Sequence, residues 1–378
     1  MVGGRLRRAT RHWVARVAVV FLVTRLLFVA GFALAQAAMG RPISVGQMMV
    51  IWDGWWYTHL AEHGYPPDLT LPDRPRFGPW GFFPLWPWTI RLFDLVLPGG
   101  AVIAGTVAAT VFGFAFLALV RLFTAQLFGD GAADAAVVLI AVFPGSIALA
   151  LPYTEASFLF YVAGALLAAR HDRWGLVALA AFLACATRST GIALVIGLVV
   201  LGIAAFARRR DVRPWLASAG GVAGLALVVV FAWIRTGDPL IWFAAQRQWD
   251  QRFDFGVGLV EGFFVILPDA GAEYHAYAVM ATMTVVFIIL VALAAPLVRR
   301  LDLLEITYSV VVIGMVFAVS NVGPRPRMIL AMLPLLILAS ARAHALGRGA
   351  ALVLGTAFAV LSVAIAFATM FEPFHVTA

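Results

Sequence analysis

Apolar stretches long enough to cross a lipid bilayer recur along the 378-residue chain, and they most constrain what it can fold into. A membrane helix needs about 20 mainly apolar residues. Stretches of this kind occupy residues 13–38, 100–126, 132–150, 154–170, 174–187, 189–207, 213–235, 273–298, 303–320, 326–343 and 349–371. Only 12% of the residues are charged, which leaves too little polar surface for a soluble domain. We therefore predict an all-α polytopic membrane protein, in which residues 1–378 form a single domain of about eleven transmembrane helices.

Three of these stretches are atypical. The first follows four arginines within residues 5–11, as the core of a signal peptide would. It is longer than a typical signal-peptide core and further stretches follow it, so we predict a retained first helix. The pair 174–187 and 189–207 is short, and Arg188 lies between them. This pattern favours either two short helices or one helix broken at Arg188.

The arginines indicate the orientation of the chain. All 27 basic residues are Arg, which is typical of GC-rich bacterial coding and points to a bacterial cytoplasmic membrane. With the N-terminus in the cytoplasm, the cytoplasmic segments hold 15 Arg and six acids, and the outer segments hold ten Arg and 13 acids. Because cytoplasmic loops are enriched in basic residues, this placement satisfies the positive-inside rule. Two long outer loops follow, at about residues 40–99 and 236–272.

The first outer loop contains an aromatic segment with one unusual acid. Read as a helix, Trp52, Trp56, His59 and His63 form one stripe, which predicts a helix lying in the membrane interface. The stripe alone is also what a simple interfacial anchor would show. Asp53 is different, because an acid among tryptophans at the membrane edge is costly unless it has a partner or a function. Asp53 is therefore our candidate proton acceptor.

Further polar residues lie at the outer ends of the predicted helices. Glu155 either caps the helix that follows it or serves as a second acid beside Asp53. Arg188 at membrane depth needs an anionic partner, supplied by a structural ion pair or by a ligand. Arg325 and Arg327 flank a predicted helix start and are either ordinary flanking residues or a phosphate site. The proline-broken segment 78–91 either lines a groove for a lipid chain or only packs.

Several common kinds of site are missing from the sequence. There is one cysteine, Cys185, and no zinc-ligand spacing, P-loop or dinucleotide fingerprint, so nucleotide-driven chemistry is not expected. Acids, arginines and aromatic residues instead gather on the outer face, where a sugar donor must be attached to a carrier lipid. Arginine can stabilise a departing lipid phosphate while one carboxylate deprotonates the attacking hydroxyl, which inverts the anomeric carbon.

The order of these motifs resembles a known family. Trp52-Asp53, Trp56-Tyr57, Phe82-Phe83-Pro84, Pro152-Tyr153-Thr154-Glu155 and Arg188-Ser189-Thr190-Gly191 are similar to motifs of the PIG-V type mannosyltransferases, within the GT-C superfamily. The resemblance implies a GT-C-like helix bundle with interfacial helices in the first outer loop. It also implies polyprenyl-phosphate mannose as the donor, a lipid or glycan acceptor, and Asp53 in the position of the family's catalytic base.

The resulting hypothesis is an inverting mannosyl transfer at the extracytoplasmic face, without nucleic-acid partners. We expect Asp53 and Glu155 to be catalytic, and we expect no cofactor, although a divalent metal bound by these two acids is left open. The expected substrate-binding residues are Trp52, Trp56, Tyr57, Tyr153, Arg188, Gln246, Arg325 and Arg327. The alternatives are a flippase or transporter for lipid-linked sugars, and a GT-C enzyme that uses another polyprenyl-linked sugar.

Overall fold

Apolar helices make up most of the computed structural model, which describes residues 2–40, 44–72, 78–248, 253–257, 260, 274–318 and 325–371. No β-strand element occurs within these ranges. The described residues include four short 3-10 helices, at Pro79–Gly81, Pro144–Leu149, Ser189–Gly191 and Ala295–Arg300. The α-helices are α1 (Val2–Met39), α2 (Val45–Met49), α3 (Asp53–His63), α4 (Leu85–Asp94), α5 (Gly100–Phe128), α6 (Asp130–Ala141), α7 (Glu155–Arg170), α8 (Trp174–Thr187), α9 (Ile192–Arg209), α10 (Arg213–Thr236), α11 (Ile241–Gln248), α12 (Tyr274–Ala294), α13 (Leu303–Phe317), α14 (Pro326–Leu330), α15 (Leu333–Ala345) and α16 (Arg348–Phe371).

The helix lengths confirm a multi-pass membrane protein. Six apolar segments of the described chain are long enough to span a bilayer, with mean hydropathies of 2.1 to 2.6, and they belong to α1, α5, α9, α10, α12 and α16. Three shorter apolar helices, α8, α13 and α15, accompany them. Two of the eleven predicted stretches are not continuous helices. The stretch 132–150 stops being α-helical at Ala141, and the stretch 326–343 divides into α14 and α15 ahead of Pro334.

Two short helices, α7 and α8, set the depth of one polar region. Helix α7 has 16 residues and α8 has 14, which correspond to about 24 Å and 21 Å. The turn joining them, residues 170–173, is charged and lies at one surface. Because the hydrocarbon core of a bilayer is about 30 Å thick, the opposite ends of both helices stop inside the membrane. Those ends carry Glu155 and Arg188.

Helix α6 also ends inside the bundle, and its last carbonyl groups are satisfied by side chains from three other segments. The carbonyls of residues 140–142 accept hydrogen bonds from Ser146 at 2.5 Å, from Arg25 at 3.5 Å and from Ser362 at 2.6 Å. Arg25 comes from the middle of α1, and its positive charge complements the negative end of the α6 dipole. An apolar stretch can therefore leave the α-helical conformation at membrane depth without exposing unpaired carbonyls to lipid.

The chain then packs closely against α14. A side-chain carbon added to Gly145, in the 3-10 helix after α6, would lie 2.6 Å from the carbonyl carbon of Pro326 and 3.1 Å from the backbone nitrogen of Arg327. Both neighbours are backbone atoms, which cannot shift as a flexible side chain can. Gly145 therefore allows the close approach that fixes the position of α14.

Ion pairs tie the helices together at the other end of the bundle. Arg170, at the end of α7, donates to both carboxylate oxygens of Glu305 on α13, at 2.5 and 2.6 Å. Arg121 on α5 pairs with Asp134 on α6 at 2.9 Å. A bidentate pair between buried side chains adds geometric specificity, so these contacts fix the helix register at the end remote from Glu155 and Arg188.

We predict that Gly145→Ala lowers the free energy of unfolding by about 1–3 kcal/mol, because the added methyl group overpacks a backbone contact. Thermal unfolding of the purified protein in detergent measures the effect. Gly175→Ala is the matched control, since nothing lies within 4 Å of a side-chain carbon there and its φ is not left-handed. Equal stabilities of the two variants would show that the contact between Gly145 and Pro326 does not constrain α14.

Candidate active site

Two acids and two arginines from four separate segments meet at the ends of α7 and α8 that stop inside the membrane. Arg327 Nη1 donates to Asp53 Oδ2 and lies 3.8 Å from Glu155 Oε1. Arg188 Nη1 donates to the same oxygen of Glu155. The four side chains are 15%, 4%, 16% and 11% exposed for Asp53, Glu155, Arg188 and Arg327. We call these four residues the charge cluster; its two positive and two negative charges compensate each other away from bulk water.

Helix termini place both acids in the cluster. Asp53 is the first residue of α3 and Glu155 is the first residue of α7, where the positive end of a helix dipole favours an anion. The contacts of Glu155 do not fit a role mainly as a helix cap. Thr154 occupies the N-cap position without a side-chain capping hydrogen bond, and the Glu155 carboxylate is bonded to Arg188.

Arg188 is held on several sides. It is extended, with φ −150° and ψ 146°, and the 3-10 helix Ser189–Gly191 follows it, so the predicted helix break at Arg188 is confirmed. Its Nη1 also donates to Thr154 Oγ1 at 2.8 Å, and its Nη2 lies 3.9 Å from Met328 Sδ. Its guanidinium carbon is 5.9 Å from the centre of the Phe158 ring. These contacts make Arg188 a fixed charge.

Arg327 retains capacity to donate further hydrogen bonds. Its guanidinium carbon lies 5.7 Å from the centre of the Tyr153 ring, and Asp53 and Glu155 are its two carboxylate neighbours. The Nε atom of Arg327 is buried without a hydrogen-bond partner among the described residues, as is Nε1 of Trp52. Unsatisfied buried donors are uncommon in folded proteins, and here they leave two N–H groups available to a ligand.

Two tyrosines lie beside the charge cluster and are neutral hydrogen-bonding groups. Tyr57 Oη lies 3.4 Å from Thr154 Oγ1, and Tyr153 Oη donates to the carbonyl of Ile51 at 2.9 Å. Burial, and then the negative charge of Asp53, raises the pKa of both phenols above the ordinary value of about 10. Both side chains therefore stay protonated at physiological pH.

The backbone before Asp53 is strained. Trp52 has φ 51° and ψ −116°, a backbone conformation that residues other than glycine rarely adopt. Such outliers cost about 1–3 kcal/mol and cluster at functional sites. The residue after Asp53 is equally restricted, since a side-chain carbon on Gly54 would lie 2.6 Å from the carbonyl oxygen of Met49. The turn therefore directs Asp53 into the cluster at a cost in backbone energy.

The aromatic stripe predicted for this helix differs from the observed one. Because α3 begins at Asp53, Trp52 lies outside the helix and cannot continue a helical stripe. The observed stack runs through Trp55, His59 and His63, with ring centres 4.6 and 4.4 Å apart. The predicted stripe was thus wrong at two members: Trp52 precedes the helix, and Trp55 takes the place predicted for Trp56.

The other predicted binding residues lie around the cluster in different settings. Trp56 is buried and stacks on Phe82 at 5.5 Å, within the first loop. Gln246 is half-buried on α11, which packs against Pro79–Gly81. Arg325 is buried and precedes α14, whose five residues make it too short to present a helix dipole. Residues 249–252, in the predicted second outer loop, and residues 319–324, directly before Arg325, lie outside the described ranges.

Sequence reasoning did not single out Thr154, which bridges three members of the site. Its hydroxyl accepts from Arg188, approaches Tyr57 and lies 3.5 Å from Glu155 Oε2. Its position beside Glu155 in the motif was the available signal. Within the described ranges, no group of three or more His, Cys, Asp or Glu side chains is arranged to hold a metal ion.

Comparison with known proteins identifies the fold. No protein-family model and no curated protein sequence matches the chain. It superposes on the structure of ArnT from Cupriavidus metallidurans bound to undecaprenyl phosphate, with a TM-score of 0.53 and 16% identity over 88% of this chain and 60% of ArnT. It also superposes on the apo oligosaccharyltransferase of Archaeoglobus fulgidus, with a TM-score of 0.51 and 12% identity over 96% of this chain and 56% of that one.

These similarities confirm the expected GT-C membrane fold. Both matched structures are glycosyltransferases of the GT-C class, and the chain spans about 60% or less of their length. At 12–16% identity the shared feature is the fold, and the activity must be argued from the site.

We predict that Glu155→Gln and Arg188→Gln each lower the free energy of unfolding by about 3–5 kcal/mol, since each leaves a buried charge without its main partner. The double variant should lose less than the sum of the two single losses. Thermal unfolding in detergent of the four proteins completes this double-mutant cycle. Strictly additive losses would show that the two side chains are not energetically coupled.

Proposed function

We propose that the chain is an inverting glycosyltransferase that uses a polyprenyl-phosphate-linked sugar. The observation that carries this proposal is the contact between Asp53 and Arg327 inside the bundle, because a base and a phosphate-binding cation are the two groups such a transfer needs. The GT-C fold supports it, and the ArnT structure with this fold contains undecaprenyl phosphate. Mannose as the sugar, as in the PIG-V type enzymes, is the finer part of the proposal and comes from the motif resemblance.

The reaction would proceed by a single displacement. Asp53 takes the proton from an acceptor hydroxyl, the hydroxyl oxygen forms a bond to the anomeric carbon, and the bond from that carbon to the phosphate oxygen breaks. The electron pair leaves with the carrier phosphate, where Arg327 and Arg188 stabilise the developing charge. The acceptor attacks from the face opposite the phosphate, so the anomeric configuration inverts.

The depth of the charge cluster supports a lipid donor. The cluster lies at the ends of α7 and α8, which stop short of a full bilayer crossing. A phosphate at the end of a carrier lipid could reach this depth while its hydrocarbon chain stays in the membrane. A freely soluble nucleotide sugar would instead have to carry two phosphates below the membrane surface, which is costly.

The remaining predicted residues have roles in binding within this proposal. Tyr57, a neutral phenol, donates a hydrogen bond to the sugar or to the acceptor, whereas Tyr153, whose hydroxyl donates to the Ile51 carbonyl, accepts one from a hydroxyl group of either substrate. Trp52 donates through its indole N–H, while Trp56, Gln246 and Arg325 shape the surrounding loop and the acceptor side. Glu155 keeps both arginines in place beside the phosphate, and no cofactor is required because the arginines supply the positive charge.

We further propose that the site opens to the extracytoplasmic side of a bacterial cytoplasmic membrane. Residues 1–378 form one functional unit, and the acceptor is a lipid or a glycan.

Labelling of introduced cysteines tests this orientation in a Cys185→Ala background. The Glu62→Cys variant should react with a membrane-impermeant maleimide on intact spheroplasts, and the Arg210→Cys variant should react only after lysis. The reverse pattern would place the site in the cytoplasm and refute this orientation.

Asp53→Asn should reduce sugar transfer by about 10²–10⁴-fold, the usual contribution of a general base. The assay incubates purified protein with labelled polyprenyl-phosphate mannose and membrane extract and follows label in new glycosidic products, with and without a metal chelator. Glu62→Gln, an exposed acid on the same helix, is the matched control and should retain wild-type activity.

Three results would contradict parts of the proposal: one from this assay, one from the same assay with another polyprenyl-linked sugar, and one from a vesicle assay of lipid movement. Wild-type rates from Asp53→Asn would remove Asp53 as the base. Transfer only from another polyprenyl-linked sugar would replace mannose. Movement of the lipid across vesicles without any new glycosidic bond would favour a flippase or transporter.

A further inference from the structure

The two groups that the proposed reaction needs are engaged with each other in this structure. Arg327 Nη1 donates to Asp53 Oδ2, and side chains of both residues are largely buried. While Asp53 Oδ2 accepts a charge-assisted hydrogen bond from Arg327, that oxygen is less available to an acceptor hydroxyl. At the same time, an arginine held by a carboxylate has fewer N–H groups to offer a phosphate. The structure thus shows a self-paired state of the site.

The two arginines of the charge cluster differ in how easily they could change partners. Arg188 contacts Glu155, Thr154 and the sulfur of Met328, and it lies beside the Phe158 ring. Arg327 has an unpartnered Nε, and its second carboxylate neighbour, Glu155, is 3.8 Å away. Exchange of one anion for another is therefore easier at Arg327.

Charge balance in the cluster favours such an exchange when a phosphate enters. Asp53 and Glu155 balance Arg188 and Arg327, so one more anion leaves three negative charges beside two positive ones. Glu155 is 4% exposed and is bonded to Arg188, whereas Asp53 is 15% exposed and stands at the start of α3. The added repulsion therefore acts mainly on Asp53, the less tightly held of the two acids.

Donor groups for the incoming phosphate are already in place. The fork of Arg327 that includes Nε presents two parallel N–H groups, a geometry suited to bidentate binding of a phosphate. Nε1 of Trp52, directly before Asp53 in the chain, is a further buried donor without a partner among the described residues. A phosphate bound at this fork would bring its negative charge next to the Asp53 carboxylate on Nη1 of the same guanidinium, and the repulsion between the two anions weakens the pair between Asp53 and Arg327.

We propose that the phosphate of the lipid donor displaces Asp53 from Arg327, so that donor binding itself releases the base. This inference rests on the proposed function and adds an order to it. The donor binds first, Asp53 becomes free to accept a hydrogen bond from the acceptor hydroxyl, and the acceptor then binds productively. Without donor, Asp53 stays paired with Arg327.

A binding measurement with undecaprenyl phosphate, which carries no sugar, tests the displacement apart from catalysis. Affinity is measured by equilibrium binding of the labelled lipid to purified protein in detergent. Asp53→Asn, for which slow transfer is predicted, should bind at least roughly tenfold more tightly than wild type, a ratio that corresponds to 1.4 kcal/mol. Arg327→Gln should bind at least roughly tenfold more weakly, and Glu62→Gln should match wild type.

The outcomes separate this inference from the proposed function. If wild type binds undecaprenyl phosphate but Asp53→Asn binds equally or more weakly, the displacement is refuted while the lipid-donor function stands. If wild type and every variant fail to bind it, the proposed function fails and the inference fails with it. Asp53→Ala, which also removes the competing carboxylate, should show the same gain and serves as the second variant if Asp53→Asn is poorly folded.

Discussion

A buried cluster of two carboxylates and two guanidinium groups is the constraint on which the rest of this structure depends. Each of these charges would cost several kcal/mol if it were buried alone, so none of the four segments that carry them can adopt its position independently. Helices α3 and α7, the break after α8 and the short helix α14 must therefore assemble together. Their convergence creates a polar site at a depth where the surrounding bundle is apolar.

The irregular parts of the bundle are what make this convergence possible. Helix α6 ends early, and residues 140–142 are satisfied by Arg25, Ser146 and Ser362. The chain that follows can then approach α14 closely at Gly145 and continue to Glu155. A bundle of uninterrupted spans would place these residues at the membrane surface, where water would weaken every interaction of the cluster. Broken helices thus provide both the depth and the charge pairing.

Sequence reasoning recovered the parts of this arrangement that local pattern determines. Hydropathy predicted the helical bundle, and a charged residue inside an apolar stretch predicted the break at Arg188. Sequence reasoning could not predict that Asp53 pairs with Arg327, 274 residues later, because tertiary packing determines which charged residues meet. The end of α6 was missed for the same reason, since the carbonyls there depend on Arg25 from α1. The catalytic role of Asp53 and the identity of the sugar stay predictions.

The central claim is that one arginine is shared between the base and the phosphate of a carrier lipid. A cryo-electron microscopy structure of the protein with undecaprenyl phosphate measures this most directly. The account predicts phosphate oxygens within about 3 Å of the Arg327 nitrogens, with Asp53 separated from that side chain. A lipid phosphate bound remote from Arg327, with the pair between Arg327 and Asp53 still intact, would contradict it.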